Sequence, residues 1–204
     1  MFAGAHNFPK FAKGGAEANT NFGKWALVMS IEIEVVSGDE AWPRAEPLLD
    51  AAWPPAEMHK LSWGHVKWAH ADLRVLIETD DGELACHIGI YFRTVTWNGQ
   101  EVHIGGIGGV ATHPGCRRRG YASVALNAAA RTMRDHDAAQ FALLLCEPHN
   151  FEFYRSRGWQ RFDGAVYCEQ PEGRIRFEVM APFVLDLKRR APTLGTLDLC
   201  GLPW

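Results

Sequence analysis

The sequence predicts a mixed α/β fold in a single domain, and three observations carry that reading. Period-two segments alternate with segments of helical spacing, two tight-turn signals divide the β-rich middle into an antiparallel meander, and after Pro114 the pattern changes to helix, strand, helix and a final β segment. A chain of 204 residues, 47% hydrophobic and 22% charged, is in the range of one globular unit that buries its own core. Residues 1-28, rich in Gly, Ala, Asn and Lys, read as a leader or flexible arm, and residues 29-204 as the domain.

The elements follow in order. Ile31 to Val36 alternates apolar and acidic residues, as a half-buried strand does. From Asp39 to Ala52, the residues Trp42, Ala45, Leu48, Leu49 and Ala52 recur at helical spacing, until Trp53-Pro54-Pro55 stops the pattern. A shorter helical stretch is predicted over residues 57-63. Leu73 to Glu78, Leu84 to Thr96 and Glu101 to Thr112 are β-rich, separated by turn signals at Asp80-Asp81-Gly82-Glu83 and Asn98-Gly99. Ala122 to Met133 is rich in good helix formers, with Val124, Leu126, Ala130 and Met133 as its buried face. The unbroken apolar run Phe141 to Cys146 reads as a strand buried on both faces. Residues 150-157 suggest a short helix ended by Gly158, and residues 166-168 and 174-187 a closing hairpin.

Bulk properties narrow the function. A net charge of -3 provides no basic footprint for a nucleic acid and favours a small-molecule partner. Cys86, Cys116, Cys146, Cys168 and Cys200 are odd in number and never in a C-x-x-C pair, so they read as reduced thiols and not as a disulfide framework or zinc site. The nine histidines show no H-x-x-x-H pair, and no metal site is expected. No apolar run reaches the roughly 18 residues of a membrane span, and the leader lacks a signal-peptide core. A cytoplasmic protein without a membrane partner is the expectation.

The segment with the clearest chemistry runs from Gly108-Gly109-Val110-Ala111-Thr112-His113-Pro114 into Gly115-Cys116-Arg117-Arg118-Arg119-Gly120, with a helix beginning at Tyr121-Ala122. A strand, a basic glycine-containing turn and a helix together make an anion site. The free N–H groups of the first helical turn face the ligand, Gly120 lets the backbone approach, and the arginines add donors suited to phosphate. A diphosphate is the natural guest.

Arg117-x-x-Gly120-x-Ala122 resembles the R/Q-x-x-G-x-G/A signature of the GNAT acetyltransferases, and Val110 to Pro114 resembles the strand end that precedes it. Asn150, Phe153-Tyr154 and Gly158-Trp159 resemble the family's N-x-x-x-[FL]-Y-x-x-x-G-[FW] element, and the likeness covers roughly residues 30-187. The resemblance implies a mostly antiparallel, splayed central sheet flanked by helices, an acetyl-CoA cofactor and direct attack of an amine on the thioester. It implies coenzyme A binding at Val110, Ala111, Thr112, Arg117, Arg118, Arg119, Gly120, Tyr121, Ala122, Asn150 and Phe153. It also implies a backbone N–H of Val110 that stabilises the oxyanion, Tyr154 as general acid, and a homodimer by analogy.

Within the superfamily the chain is similar to the aminoglycoside 2'-N-acetyltransferases, through Gly109-Val110-Ala111, Tyr154 to Trp159 and a tail that runs on to Trp204. That likeness implies a polycationic amino-sugar acceptor, with Gly108, Glu147 and Trp204 at its site and Asp198 as a further carboxylate. Gly108 stands where an acidic residue is expected. Glu101, His103, Glu147 and His149 are candidates for a general base, whereas His113 and His87 read as a strand-end and a half-buried sheet residue. Trp53, Trp63 and Trp68 fall where the family places its acceptor-binding helices. Another small amine, a protein N-terminus, and a non-catalytic acyl-CoA sensor are the alternatives.

Overall fold

A computed structural model describes residues 31–136 and 139–204; the predicted leader, residues 1-28, lies outside the described residues. The chain opens with β1 (Glu32–Ser37), α1 (Gly38–Ala52) and a 3-10 turn (Pro55–Lys60). The meander follows as β2 (Leu73–Glu78), β3 (Leu84–Trp97) and β4 (Gln100–Thr112). Then come α2 (Tyr121–Asp135), β5 (Phe141–Cys146), α3 (Phe151–Arg155), β6 (Gln160–Arg161), β7 (Ala165–Gln170), β8 (Gly173–Arg176), β9 (Ala181–Asp186) and β10 (Thr196–Asp198).

The strands form one mixed sheet in the order β6-β9-β5-β4-β3-β10-β7-β8, with β2 also on β3 and β1 on β2. Asn98 and Gly99 both take positive φ, the backbone that closes a two-residue hairpin between β3 and β4. One face of the sheet is covered by α2, whose Ala125, Ala129 and Met133 pack on Ile88, Ile90 and Ile107. The other face holds a second core around Trp63, Tyr91, Val95, Phe162 and Trp204. Among the described residues no helix is long and apolar enough to cross a membrane.

Several sequence expectations are corrected here. In β1 the apolar Ile33 and Val35 are exposed, because among the described residues this strand is paired only with β2 and nothing covers its outward face. Helix α1 buries Ala41, Ala45 and Leu48 and turns Trp42 outward, where its ring stacks on Arg74. The stretch over 57-63 is a 3-10 turn ending at Lys60, and α3 spans only Phe151–Arg155. The closing hairpin is confined to β7 and β8. The rest of residues 174-187 crosses the sheet as β9, antiparallel to β5, because its apolar Phe183 and Val184 are buried beside that central strand. Strand β10, unforeseen, inserts between β3 and β7 and carries the tail across the sheet.

Candidate active site

The site begins where β4 and β5 part. The two strands pair in parallel only at Gly105–Ile107 with Ala142–Leu144. Beyond that, residues 108-112 remain on β3 while their other edge has no strand partner among the described residues, so backbone N–H and C=O groups line an open wedge. A bulge shifts the β3 register there, with Gly89 opposite Gly108 but His87 opposite Ala111. Gly109 takes φ +57 at the bulge, a left-handed conformation that a glycine adopts without strain. Val110, Ala111 and Thr112 follow on the unpaired edge.

His87 fixes the bulge from below. Its Nε2 lies 2.9 Å from Arg74 Nη1, and its Nδ1 2.7 Å from the Gly109 carbonyl. A guanidinium can only donate, so Nε2 accepts and the ring proton sits on Nδ1, where it donates to Gly109. Burial pushes the His87 pKa down to about 4; the Gly109 hydrogen bond works against this and the nearby Arg74 charge with it. His87 is 1% exposed, a fully buried neutral imidazole and not the half-buried sheet residue expected from sequence.

The loop after β4 forms an anion cradle. Pro114–Cys116 make a 3-10 turn, Arg118 takes φ 61, and Gly120 takes φ 90 as the residue before α2. Ser123 and Val124 donate to the Gly120 carbonyl, but the N–H groups of residues 118-122 have no acceptor among the described residues. Five consecutive free donors at a helix N-terminus are a nest for phosphate oxygens. A Cβ on Gly120 would meet nothing within 4 Å, so the approach to the nest is open. Arg117 bends back to the Thr112 carbonyl and ties the loop to the strand, while Arg118 and Arg119 are exposed and unbonded among the described residues. The aromatic ring of Tyr121 is buried, leaving its backbone to face the nest.

Tyr154 stands behind the wedge on α3. It is 6% exposed, set edge-on to Phe153 and Trp159, and its hydroxyl makes no hydrogen bond among the described residues. Burial raises its pKa well above the usual phenol value; Cys146 and Cys86 add to the rise and Arg157 opposes it. The phenol therefore keeps its proton throughout the neutral range. Arg157 was not foreseen as part of the site. Its Nη2 donates to Ser123 Oγ at 2.6 Å, its Nη1 to the Phe153 carbonyl at 2.6 Å, and its guanidinium covers the Phe153 ring at 3.8 Å. It thus clamps α3 to the first turn of α2, fixing Tyr154 relative to the cradle. Asn150 immediately precedes α3, its side chain against His149.

The remaining candidates separate. Glu147 and His149 follow β5 directly, on the β5 side of the wedge. Glu101 and His103 pair with Thr96 and Thr94 near the opposite end of β4, more than about 20 Å from Val110 at strand rise, which removes them as bases. Asp198 is paired with Arg174 and accepts from the Cys200 N–H, so it is not free for an ammonium group. Trp204 does reach Gly108, and its carbonyl carbon lies 2.8 Å from where a Cβ would stand. Its indole, however, is core: 4% exposed, stacked on Tyr91 at 5.6 Å, lying under Arg93 and donating to the Leu143 carbonyl. A ring so enclosed cannot cover a sugar. Glu83, His113 and Cys116 bring one ligand atom each within 4.8 Å of one another at the base of the loop, a grouping that the histidine spacing did not point to. Four of the five cysteines are buried and all are free.

The site thus combines a mixed sheet with a splayed parallel pair and a row of free N–H donors at a helix start. The acetyltransferase (GNAT) domain model matches residues 37–162, more than half of the chain. The chain belongs to the GNAT acetyltransferase family, enzymes whose acyl donor is acetyl-CoA. It is similar in fold to the Escherichia coli GNAT-family N-acetyltransferase YhbS in complex with CoA, with TM-score 0.56 and 17% identity over 88% of this chain and 94% of that one. A GNAT-family acetyltransferase from Brucella melitensis in complex with acetyl-CoA gives TM-score 0.53 and 17% identity, covering 82% and 94%. Escherichia coli ElaA gives 0.54 and 14%, covering 77% and 100%. No curated protein sequence matches the chain.

Proposed function

We propose that this enzyme transfers the acetyl group of acetyl-CoA to a small primary amine, holding the donor in the wedge between β4 and β5 with its diphosphate in the nest of residues 117-122. The observation that carries this reading is the run of free N–H groups at 118-122, directly after a strand whose outer edge is open. The residues fit the group: the nest supplies donors and a helix dipole for the diphosphate, Arg118 and Arg119 supply charge, and the free edge of Val110 to Thr112 matches an amide-bearing arm. When bound, acetyl-CoA supplies an activated acyl group as a thioester.

The chain's own contribution is positional and electrostatic. The Val110 N–H, on the open edge, is the donor for negative charge that develops on the acyl oxygen. Tyr154, kept neutral by burial, offers its unbonded O–H to the departing sulfur, and the Arg157 clamp holds α3 against the cradle while it does so. Glu147 and His149, beside the wedge, are the groups available to take the amine's proton.

The amino-sugar acceptor implied by resemblance loses support, since Trp204 is buried and Asp198 is paired. The test of the general reading is a thiol-release assay with acetyl-CoA over a panel of amines, together with calorimetry of coenzyme A on the wild type and on Gly120→Val. Valine at φ +90 strains the backbone and crowds the nest, so the affinity for coenzyme A should fall at least about tenfold. Unchanged affinity would displace the cofactor from this loop.

A further inference from the structure

A second cavity feature specifies the acceptor, and it rests on the acetyltransferase reading above. A cavity of about 390 Å³ lies between α1, the 3-10 turn, the following loop and the β2-β3 sheet, a size suited to a small ligand. It abuts the wedge: Leu49 lines it and also faces Gly109, and Tyr91 lines it and stacks on Trp204 beside Gly108. Its walls are an edge-to-face chain of indoles, Trp53 on Trp63 at 6.0 Å and Trp63 on Trp68 at 5.8 Å.

One group of the lining demands a partner. The indole N–H groups of Trp63 and Trp68 have no acceptor among the described residues, but both atoms are closed off from the cavity's open space and do not meet its occupant. Arg74, also lining the cavity, is 5% exposed and makes no ion pair among the described residues. Its Nε donates to the Gly38 carbonyl and its Nη1 to His87, both neutral, and its Nη2 has no hydrogen bond among the described residues. Asp39 acts on the Arg74 charge without forming an ion pair, and Asp50 lines the cavity from α1. A largely buried cation with no contacting anion is expensive unless one joins it. Flat apolar walls and a guanidinium nitrogen without a hydrogen bond of its own select a planar apolar body that bears a carboxylate, and Asp50 suits the ammonium group of the same molecule.

We propose that the acceptor is a carboxylate-bearing aromatic amine of the aromatic amino-acid type, its ring against the indole wall and its carboxylate received by the Nη2 of Arg74. A polycationic sugar would instead bring like charge to Arg74.

The test is calorimetry without acetyl-CoA, using L-phenylalanine, L-tyrosine and L-tryptophan against their amides and their decarboxylated amines. The carboxylates should bind about tenfold or more tightly than both sets. Arg74→Gln should erase that preference while Arg74→Lys keeps part of it. Trp53→Ala, which opens the indole wall without touching the His87 network, should weaken the carboxylates and the decarboxylated amines alike. No preference for the carboxylates, no binding by any member, a preference that survives Arg74→Gln, or binding left unchanged by Trp53→Ala overturns the inference. Thiol release separates it from the reading on which it rests. Amines that react irrespective of a carboxylate sink the acceptor assignment alone, whereas carboxylate-selective binding without thiol release from any amine sinks the acetyltransferase reading alone.

Discussion

Tyr154→Phe separates chemistry from folding unusually well, because the phenol oxygen makes no hydrogen bond among the described residues while the ring is packed on Phe153, Trp159 and Phe183. Phenylalanine keeps every ring contact and removes only a polar atom without a partner. Folding stability should therefore change by less than about 1 kcal/mol, and in the stabilising direction if it changes at all. If the O–H protonates the leaving sulfur, its loss should lower kcat by about a hundredfold, or about 2.7 kcal/mol of transition-state stabilisation, with acetyl-CoA affinity retained. Burial holds the phenol's pKa above its usual value, so the same residue also leaves a mark on stability at alkaline pH. Its contribution is complete below about pH 10 and is lost as the pH climbs above that, where the unfolded chain ionises first; the Phe variant lacks this alkaline decline. Steady-state thiol release, calorimetry of coenzyme A and urea unfolding read the three quantities. A Phe variant with wild-type kcat would reduce Tyr154 to a packing residue, and one that is destabilised by several kcal/mol would mean the hydroxyl is bonded after all.

Two further perturbations test the frame around the site. His87, whose pKa is depressed to about 4 against an ordinary 6.5, favours folding above pH 6.5 and loses that contribution as the pH falls from 6.5 to 4, on the order of 3 kcal/mol in all. Urea unfolding at pH 7 and pH 4.5 should show the decline in the wild type and a much shallower one in His87→Gln; parallel slopes would contradict a buried neutral imidazole. Trp204→Ala empties the space over Gly106 and Gly108 and should cost about 3–5 kcal/mol, visible as a lower urea midpoint. A variant within about 1 kcal/mol of wild type would show that the indole is not part of the core.

The candidate site was legible in proportion to how local its chemistry is. The cradle could be read directly, since R-x-x-G-x-A, a strand before it and a helix after it occupy one continuous stretch, and Gly120 does adopt the left-handed backbone that only glycine takes freely. Tyr154 was likewise marked by a short motif. Arg74 and His87 carried no such signal. They are 13 residues apart on neighbouring strands, and their meeting beneath Gly109 depends on the bulge in β4. Arg157 carries no local signal of its clamp either, since its partner Ser123 lies 34 positions earlier.

The sequence by itself determined the meander, its hairpin turn, the bounds of β2 and β5 and the glycine-hinged loop that leads into α2, because turn chemistry, side-chain periodicity and glycine conformation act over a few neighbouring residues. Tertiary structure alone decided that residues 181-186 pair with β5 and not with β7, and that β10 enters between β3 and β7. It also decided that Trp204 is core and that four indoles and Arg74 line one cavity. Those outcomes turn on which apolar surfaces exclude water together across long chain separations, and on which strand edges are left open to receive a late segment. No local pattern encodes either.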